Sequence, residues 1–129
     1  MSGNRQSRGP RRKMRILFAD DDLFVLEGLA YNLRSYLARC EMCFVVGGDA
    51  AIAELRSGDI DVLVTDWCMP GIDGAAVLAA AVRYSPHTIR VVLTGSPIEA
   101  QQLDVFAVVG KPVNVDDLRA ILDQVATGC

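Results

Sequence analysis

Short apolar runs alternate with amphipathic stretches along most of this chain. Five runs are continuous enough to predict buried strands, over residues 14–19, 43–46, 62–65, 89–93 and 105–109. The stretches between and after them carry apolar residues at helical spacing and predict helices over 23–39, 50–57, 75–84 and 115–126, with room for only a short helix over 97–103. This alternation predicts an α/β fold with a doubly wound parallel sheet that is covered by helices on both faces.

The first helix has one apolar stripe, made of Leu26, Leu29, Ala30, Leu33 and Leu37. Asp21 or Asp22 is placed to cap its start, and Asn114 is placed to cap the last helix. Gly58 follows the second helix, where a glycine commonly ends a helix. These residues support the predicted boundaries.

The composition is that of one globular domain, with 51% hydrophobic and 22% charged residues in 129 positions. No apolar run approaches the roughly 20 residues that a membrane helix needs, and no apolar signal segment follows the basic N-terminus. We therefore expect a cytoplasmic protein without a membrane partner.

The net charge of -3 conceals a basic N-terminus. Six of the 13 basic residues precede the first acidic residue: Arg5, Arg8, Arg11, Arg12, Lys13 and Arg15. We assign residues 1–13 to a basic tail that is expected to be disordered, and residues 14–129 to the folded domain. Contact of this tail with nucleic acid or an anionic membrane is the alternative interpretation.

Cys40 and Cys43 form a CxxC motif, which in other contexts binds zinc or carries redox chemistry. A zinc site needs four ligands, but the chain has no second CxxC, and His87 is its only histidine. The pair is predicted to lie between a helix and a strand, whereas a redox CxxC opens a helix. We expect ordinary thiols.

Polar side chains follow four of the five predicted strands. Asp20 and Asp21 follow the first strand, Asp66 ends the third, Thr94 ends the fourth and Lys111 follows the fifth. Because parallel strands end at one edge of a sheet, we expect these side chains to lie together.

The residue types at this edge indicate phosphoryl chemistry on a carboxylate. Three crowded carboxylates repel one another unless a hard cation joins them, and Mg²⁺ prefers such oxygen ligands. Asp66 is placed to be the nucleophile, since a carboxylate can form an acyl phosphate. Lys111 and the Thr94 hydroxyl would then contact the phosphoryl oxygens.

Four segments carry a family resemblance: ILFADDD, DVLVTDWCMPGIDG, VVLTGS and GKPV. Over residues 14–126 the chain resembles the receiver domains of two-component response regulators. The resemblance implies a flavodoxin-like five-stranded sheet of order 2-1-3-4-5 with about five helices, the fourth short or irregular. It also implies that a histidine kinase or a histidine phosphotransfer protein phosphorylates Asp66.

By the same resemblance, Mg²⁺ would be held by Asp20, Asp21, Asp66 and the backbone carbonyl of Cys68. Lys111 would pair with the phosphoryl group, and Thr94 would turn toward it. A cis peptide bond would join Lys111 and Pro112.

Two departures from the family pattern concern its conformational readout. Members usually carry Tyr or Phe three residues before the lysine, where this chain has Val108. The segment from Thr94 to Lys111 is also several residues shorter than usual. Phosphotransfer is expected to survive both changes, but a switch that depends on the usual aromatic ring is not.

Two other functions were weighed. A degenerate receiver would bind a partner without being phosphorylated. A haloacid-dehalogenase-type phosphatase would need Thr or Val where this chain has Phe24, and a cap domain does not fit in 129 residues. No DNA-binding module is expected after the last helix. We therefore expect a stand-alone regulator or the receiver of a hybrid kinase, either as a monomer or as a homodimer. Such a protein catalyses only its own phosphorylation and dephosphorylation.

Overall fold

The computed structural model describes residues 13–96 and 103–128. Its strands are β1 (Met14–Asp20), β2 (Cys40–Val46), β3 (Val62–Asp66), β4 (Ile89–Thr94) and β5 (Ala107–Gly110). Its α-helices are α1 (Leu23–Asn32), α2 (Gly48–Leu55), α3 (Gly74–Tyr84) and α4 (Val115–Gly128), and a 3₁₀ segment covers Arg34–Ala38. Residues 1–12 of the basic tail and residues 97–102 of the predicted short helix lie outside the described residues.

The five strands form one parallel sheet of order β2-β1-β3-β4-β5, which confirms the predicted topology. Strand order reverses at β1, because the chain first adds β2 on one side and then β3 on the other. In doubly wound sheets, ligands bind in the crevice at the carboxyl ends of the strands beside such a reversal.

Alternate residues of each strand pack against helices on opposite faces of the sheet. Ile16 and Phe18 of β1 belong to the apolar cluster beneath α1 and α4, whereas Leu17 and Ala19 belong to the cluster beneath α2 and α3. All four side chains are almost fully buried. Burial of each large one stabilises the fold by about 1.5–3 kcal/mol, so β1 is held firmly at the centre of the sheet.

The first helix is shorter than the predicted span of 23–39, because α1 ends at Asn32 and the chain continues as the 3₁₀ segment. Three residues per turn place Tyr36 directly below Leu33, and both side chains are buried. Leu37 was predicted to belong to the core stripe, but it is 55% exposed. The α-helical spacing of apolar residues therefore does not predict burial in the segment where the chain changes to a 3₁₀ helix.

Both cysteines of the CxxC motif lie inside β2, which begins at Cys40 and not at residue 43, so the prediction that the pair lies between a helix and a strand is wrong. Because they are three residues apart on a strand, they face opposite sides of the sheet, and Cys40 and Cys43 contact different apolar clusters. Cys40, Cys43 and Cys68 are free thiols. Burial raises the pKa of both Cys40 and Cys43, which keeps these thiols protonated.

The remaining boundaries shift by one to three residues. Asp22 caps α1 by accepting the backbone N–H of Phe24, and Asn114 accepts those of Asp116 and Asp117. The predicted start of the second helix at residue 50 is wrong, because α2 begins at Gly48. None of the described helices is long and apolar enough to cross a lipid bilayer.

Candidate functional site

The carboxyl ends of the strands meet at one edge of the sheet. β1 ends at Asp20, β3 at Asp66 and β4 at Thr94, and Lys111 follows β5. Asp66 pairs with Leu93 on the adjacent strand. The parallel register thus brings the predicted site residues to the same edge.

Three carboxylates lie together there. One carboxylate oxygen from each of Asp20, Asp21 and Asp66 lies within 4.8 Å of the other two. Asp20 and Asp66 are 1% and 3% exposed, whereas Asp21 is open to solvent. An all-oxygen cluster with one open side fits a hard divalent cation that keeps several water ligands.

The Lys111 ammonium lies between the two buried carboxylates. Its Nζ is 3.1 Å from Asp20 Oδ2 and 3.1 Å from Asp66 Oδ1. Burial lowers the pKa of Lys111, but the hydrogen bonds to both carboxylates outweigh burial, so its pKa lies above the ordinary value. The ammonium is therefore charged at neutral pH and offsets part of the negative charge.

At Asp66, the effect of burial on the pKa outweighs the effect of the hydrogen bonds. Burial raises its pKa and the nearby Asp20 charge raises it further, although the hydrogen bonds from Lys111 and from the Cys68 backbone N–H lower it. The net pKa lies above that of an ordinary aspartate. The site therefore holds this carboxylate where its negative charge is costly, as is common at functional sites.

The other oxygen of Asp20 is also engaged, because Oδ1 accepts the backbone N–H of Asp22 at 2.9 Å. Both Asp20 oxygens thus have protein donors, one from Asp22 and one from Lys111. The exposed Asp21 carboxylate is the more accessible of the two β1-end acids. The backbone carbonyl of Cys68 stays a predicted ligand.

Thr94 is placed as predicted at the end of β4, and it is 4% exposed. Its hydroxyl oxygen accepts the backbone N–H of Ser96 at 3.1 Å, so the hydroxyl hydrogen is available to another acceptor. The backbone carbonyl of Thr94 accepts the N–H of Lys111 at 2.8 Å and ties the two strand ends together. The Lys111-Pro112 peptide bond is cis.

The loop after Asp66 is held against α3 by Gly74. The Gly74 N–H donates to the carbonyl of Trp67 at 2.9 Å. A Cβ at position 74 would lie 2.6 Å from the Asp66 carbonyl oxygen and 2.7 Å from Trp67 Cα. Since these are backbone atoms, any side chain at this position would push the loop away.

We therefore expect Gly74→Ala to destabilise the fold by about 1–3 kcal/mol, as overpacking against fixed atoms does. Gly28→Ala is the matched control, since nothing lies within 4 Å of its Cβ position. Because Gly28 is inside α1, alanine there should gain about 0.5–1 kcal/mol. Urea unfolding measures both, and equal stability of the two variants would contradict the close approach at Gly74.

An apolar surface beside the site was not anticipated from the sequence. Leu23 and Phe24 at the start of α1 are 54% and 82% exposed. Phe24 and Gly28 line a cavity of 250 Å³ whose other wall includes Lys111 and Pro112. The sequence does carry a signal for this surface, because Phe24 is a large apolar residue outside the core-facing stripe of Leu26, Leu29 and Leu33.

The chain matches known proteins over most of its length. A family model described as the response regulator receiver domain matches residues 16–123. The chemotaxis protein CheY of Pseudomonas aeruginosa is 31% identical to this chain over 119 residues, which cover 87% of this chain and 95% of CheY.

Two solved structures of receiver domains are similar to this chain. The receiver domain of the hybrid histidine kinase CckA has a TM-score of 0.72 at 28% identity, covering 86% of this chain and 97% of that chain. The signal receiver domain of an HD domain-containing protein from Pseudomonas fluorescens Pf-5 has a TM-score of 0.80 at 24% identity and covers 91% of this chain and 97% of its own, a likeness of fold. With a family model that spans the whole carboxylate site, the chain belongs to the family of response regulator receiver domains.

Proposed function

We propose that Asp66 accepts a phosphoryl group from a phosphohistidine of a histidine kinase or histidine phosphotransfer protein, in a reaction that requires Mg²⁺. The observation that carries this proposal is the position of the Lys111 ammonium, 3.1 Å from a carboxylate oxygen of both Asp20 and Asp66. The cluster combines a nucleophile, a cation site and a fixed positive charge.

In the proposed step, an Asp66 carboxylate oxygen attacks phosphorus and forms an acyl phosphate as the phosphorus–nitrogen bond breaks. The electron pair of that bond stays on the imidazole nitrogen of the partner. Lys111 donates to one phosphoryl oxygen, and the Thr94 hydroxyl hydrogen is available to another. Charge on the transferred group would thus be met by the Lys111 ammonium and the Thr94 hydroxyl.

Mg²⁺ fits the donor set, since carboxylates and a backbone carbonyl are the oxygen ligands that it prefers. Asp21 and Asp66 would hold it most directly together with the Cys68 carbonyl, and Asp20 would help to hold it. When bound, the ion neutralises negative charge on a phosphoryl oxygen.

The apolar surface at Leu23 and Phe24 supports docking of a protein donor. These exposed side chains lie at the start of α1, two and three residues after Asp21. The adjoining cavity is lined by Phe24, Pro112 and Lys111 itself. A partner that covers this surface would bring its phosphohistidine next to Asp66 and exclude water from the reacting groups.

The proposal includes a cytoplasmic location and no reaction on a separate small-molecule substrate. Signal output would then occur through protein contacts of the phosphorylated chain.

Incubation with phosphoramidate and Mg²⁺ tests the function. The expected result is a mass gain of one phosphoryl group per chain, which EDTA prevents. Steady release of phosphate from many phosphate esters would instead indicate a phosphatase. No mass gain at saturating donor and Mg²⁺ would indicate a receiver that binds partners without phosphorylation.

Trp67 gives an independent test of the cation site. It directly follows Asp66 and is half-buried, so a charge bound at the carboxylates should alter its fluorescence. We expect a saturable change in emission with millimolar Mg²⁺. Asp21→Asn should abolish the change, because it removes the exposed carboxylate, and an undiminished response in that variant would place the metal elsewhere.

A further inference from the structure

A second cavity lies at the opposite edge of the sheet from the carboxylates. It is lined by the first residues of three strands, Met14 of β1, Cys40 of β2 and Ile89 of β4. Val125 of α4 and Tyr36 of the 3₁₀ segment also line it. At roughly 3.3 Å per residue, the seven residues of β1 separate it from Asp20 by about 20 Å. Phosphoryl transfer therefore does not use this cavity.

Most of the cavity lining is apolar, and its polar members are Arg39, Asp61 and His87. Tyr36, Cys40 and Val125 are each at most 5% exposed, and Met14 and Ile89 are partly buried. Its volume of 330 Å³ lies at the lower end of the range of about 300–1,000 Å³ that small-molecule sites occupy. A single aromatic ring with a short substituent is a ligand of matching size.

The Tyr36 side chain, which lines the cavity, is held by polar contacts. The Tyr36 hydroxyl donates to Asp123 Oδ1 at 2.8 Å, with the carbonyl oxygen of Arg119 at 3.3 Å. Arg39 lies over the same ring, with its guanidinium carbon 4.8 Å from the ring centre. The ring thus offers a fixed apolar surface whose hydroxyl is already satisfied.

The guanidinium of Arg39 lies at the mouth of the cavity and has N–H donors that a ligand can use. Arg39 is 60% exposed, and its ion pair with Asp123 spans 3.8 Å. A guanidinium has five N–H donors in a fork that matches a carboxylate, so this contact leaves donors for a ligand. The carboxylate of the lining residue Asp61 accepts the backbone N–H of Arg15 at 2.8 Å, and Asp123, outside the lining, accepts the Tyr36 hydroxyl.

We propose that this cavity binds a small aromatic carboxylate, with the ring against Tyr36, Val125 and Ile89 and the carboxylate on Arg39. The apolar part of the lining accounts for the ring, and the Arg39 guanidinium accounts for the charge. The site is separate from the carboxylate cluster, so it stands whether or not Asp66 accepts a phosphoryl group.

Amide NMR of the full chain with benzoate as the probe tests the proposal. We expect saturable shifts at Tyr36, Cys40, Ile89 and Val125 and none at Asp66. Arg39→Gln should weaken binding by about tenfold, the loss of roughly one charge-assisted hydrogen bond. Benzyl alcohol and benzylamine, of similar size, should bind more weakly than benzoate.

The exposed Ala126 lines the cavity, so Ala126→Phe should block it without disturbing the core. Ala120→Phe adds the same ring at an exposed position of α4 outside the cavity lining and should bind benzoate like the wild type. The proposal is overturned by any of three results: no saturable shift at the cavity residues, unchanged binding in Ala126→Phe, or equal binding of the neutral or cationic probe.

Discussion

Asp66→Asn should abolish phosphorylation by small donors, to below the detection limit of intact-mass measurement. An amide oxygen is a poor nucleophile, and the acyl phosphate needs the carboxylate at this position. Asp73→Asn is the matched control, since Asp73 lies in the loop that follows β3 and caps α3 by accepting the Ala76 N–H at 3.1 Å. Asparagine caps equally well, so this variant should be phosphorylated like the wild type.

The same substitution should not cost stability at neutral pH. Burial raises the pKa of Asp66, so the folded state binds this proton more tightly than the unfolded state does. Protonation of Asp66 therefore stabilises the fold at low pH, and this stabilisation is lost as pH rises through the folded-state pKa. Asp66→Asn cannot ionise, and its melting temperature at pH 7 should equal or exceed that of the wild type. Phosphorylation of a well-folded Asp66→Asn chain would contradict the assignment.

Lys111→Met should lower the rate of phosphorylation by about 10²–10³-fold, the usual effect of removing one donor to a developing charge. The same variant should bind Mg²⁺ more tightly than the wild type. The ammonium lies 3.1 Å from both buried carboxylates, so it repels a cation that binds to them. Opposite changes in rate and in metal affinity are the signature of this arrangement.

Calorimetry of Mg²⁺ binding and initial rates with phosphoramidate measure the two effects. Lys13→Met is the control, because the Lys13 ammonium contacts the Leu37 carbonyl at 3.2 Å, far from the carboxylate edge. That substitution should change neither quantity. We expect Asp21→Asn to weaken Mg²⁺ binding. If Lys111→Met weakened it to a similar extent, the prediction would be wrong and Lys111 would have a structural role in the cation site.

The residues of the candidate site were predictable because parallel strands fix where their ends lie. Asp20, Asp66 and Thr94 each end an apolar run, and a sheet with one strand direction places such ends at one edge. The sheet order, in contrast, came from the family resemblance, since alternation of strands and helices alone permits several orders. The position of the Lys111 ammonium between Asp20 and Asp66 required coordinates, because a long side chain can point several ways from a strand end.

The prediction failed where contacts between distant segments decide local structure. Leu37 matches the helical period as well as Leu33 does, but Tyr36 takes the buried position because its hydroxyl reaches Asp123 of α4. Similarly, α2 begins at Gly48, where a Cβ would lie 2.6 Å from Ile72 Cγ2. Neither partner is near in sequence, so no local pattern identifies it.

Borohydride trapping tests most directly whether Asp66 accepts a phosphoryl group at a cation site built from Asp20, Asp21 and Asp66. Reduction of an acyl phosphate converts the modified aspartate to homoserine, which peptide sequencing by mass spectrometry locates. After reaction with phosphoramidate, we predict homoserine at position 66 alone, formed with Mg²⁺ and lost with EDTA. Homoserine at another aspartate, or equal conversion at position 66 without a divalent cation, would contradict the account.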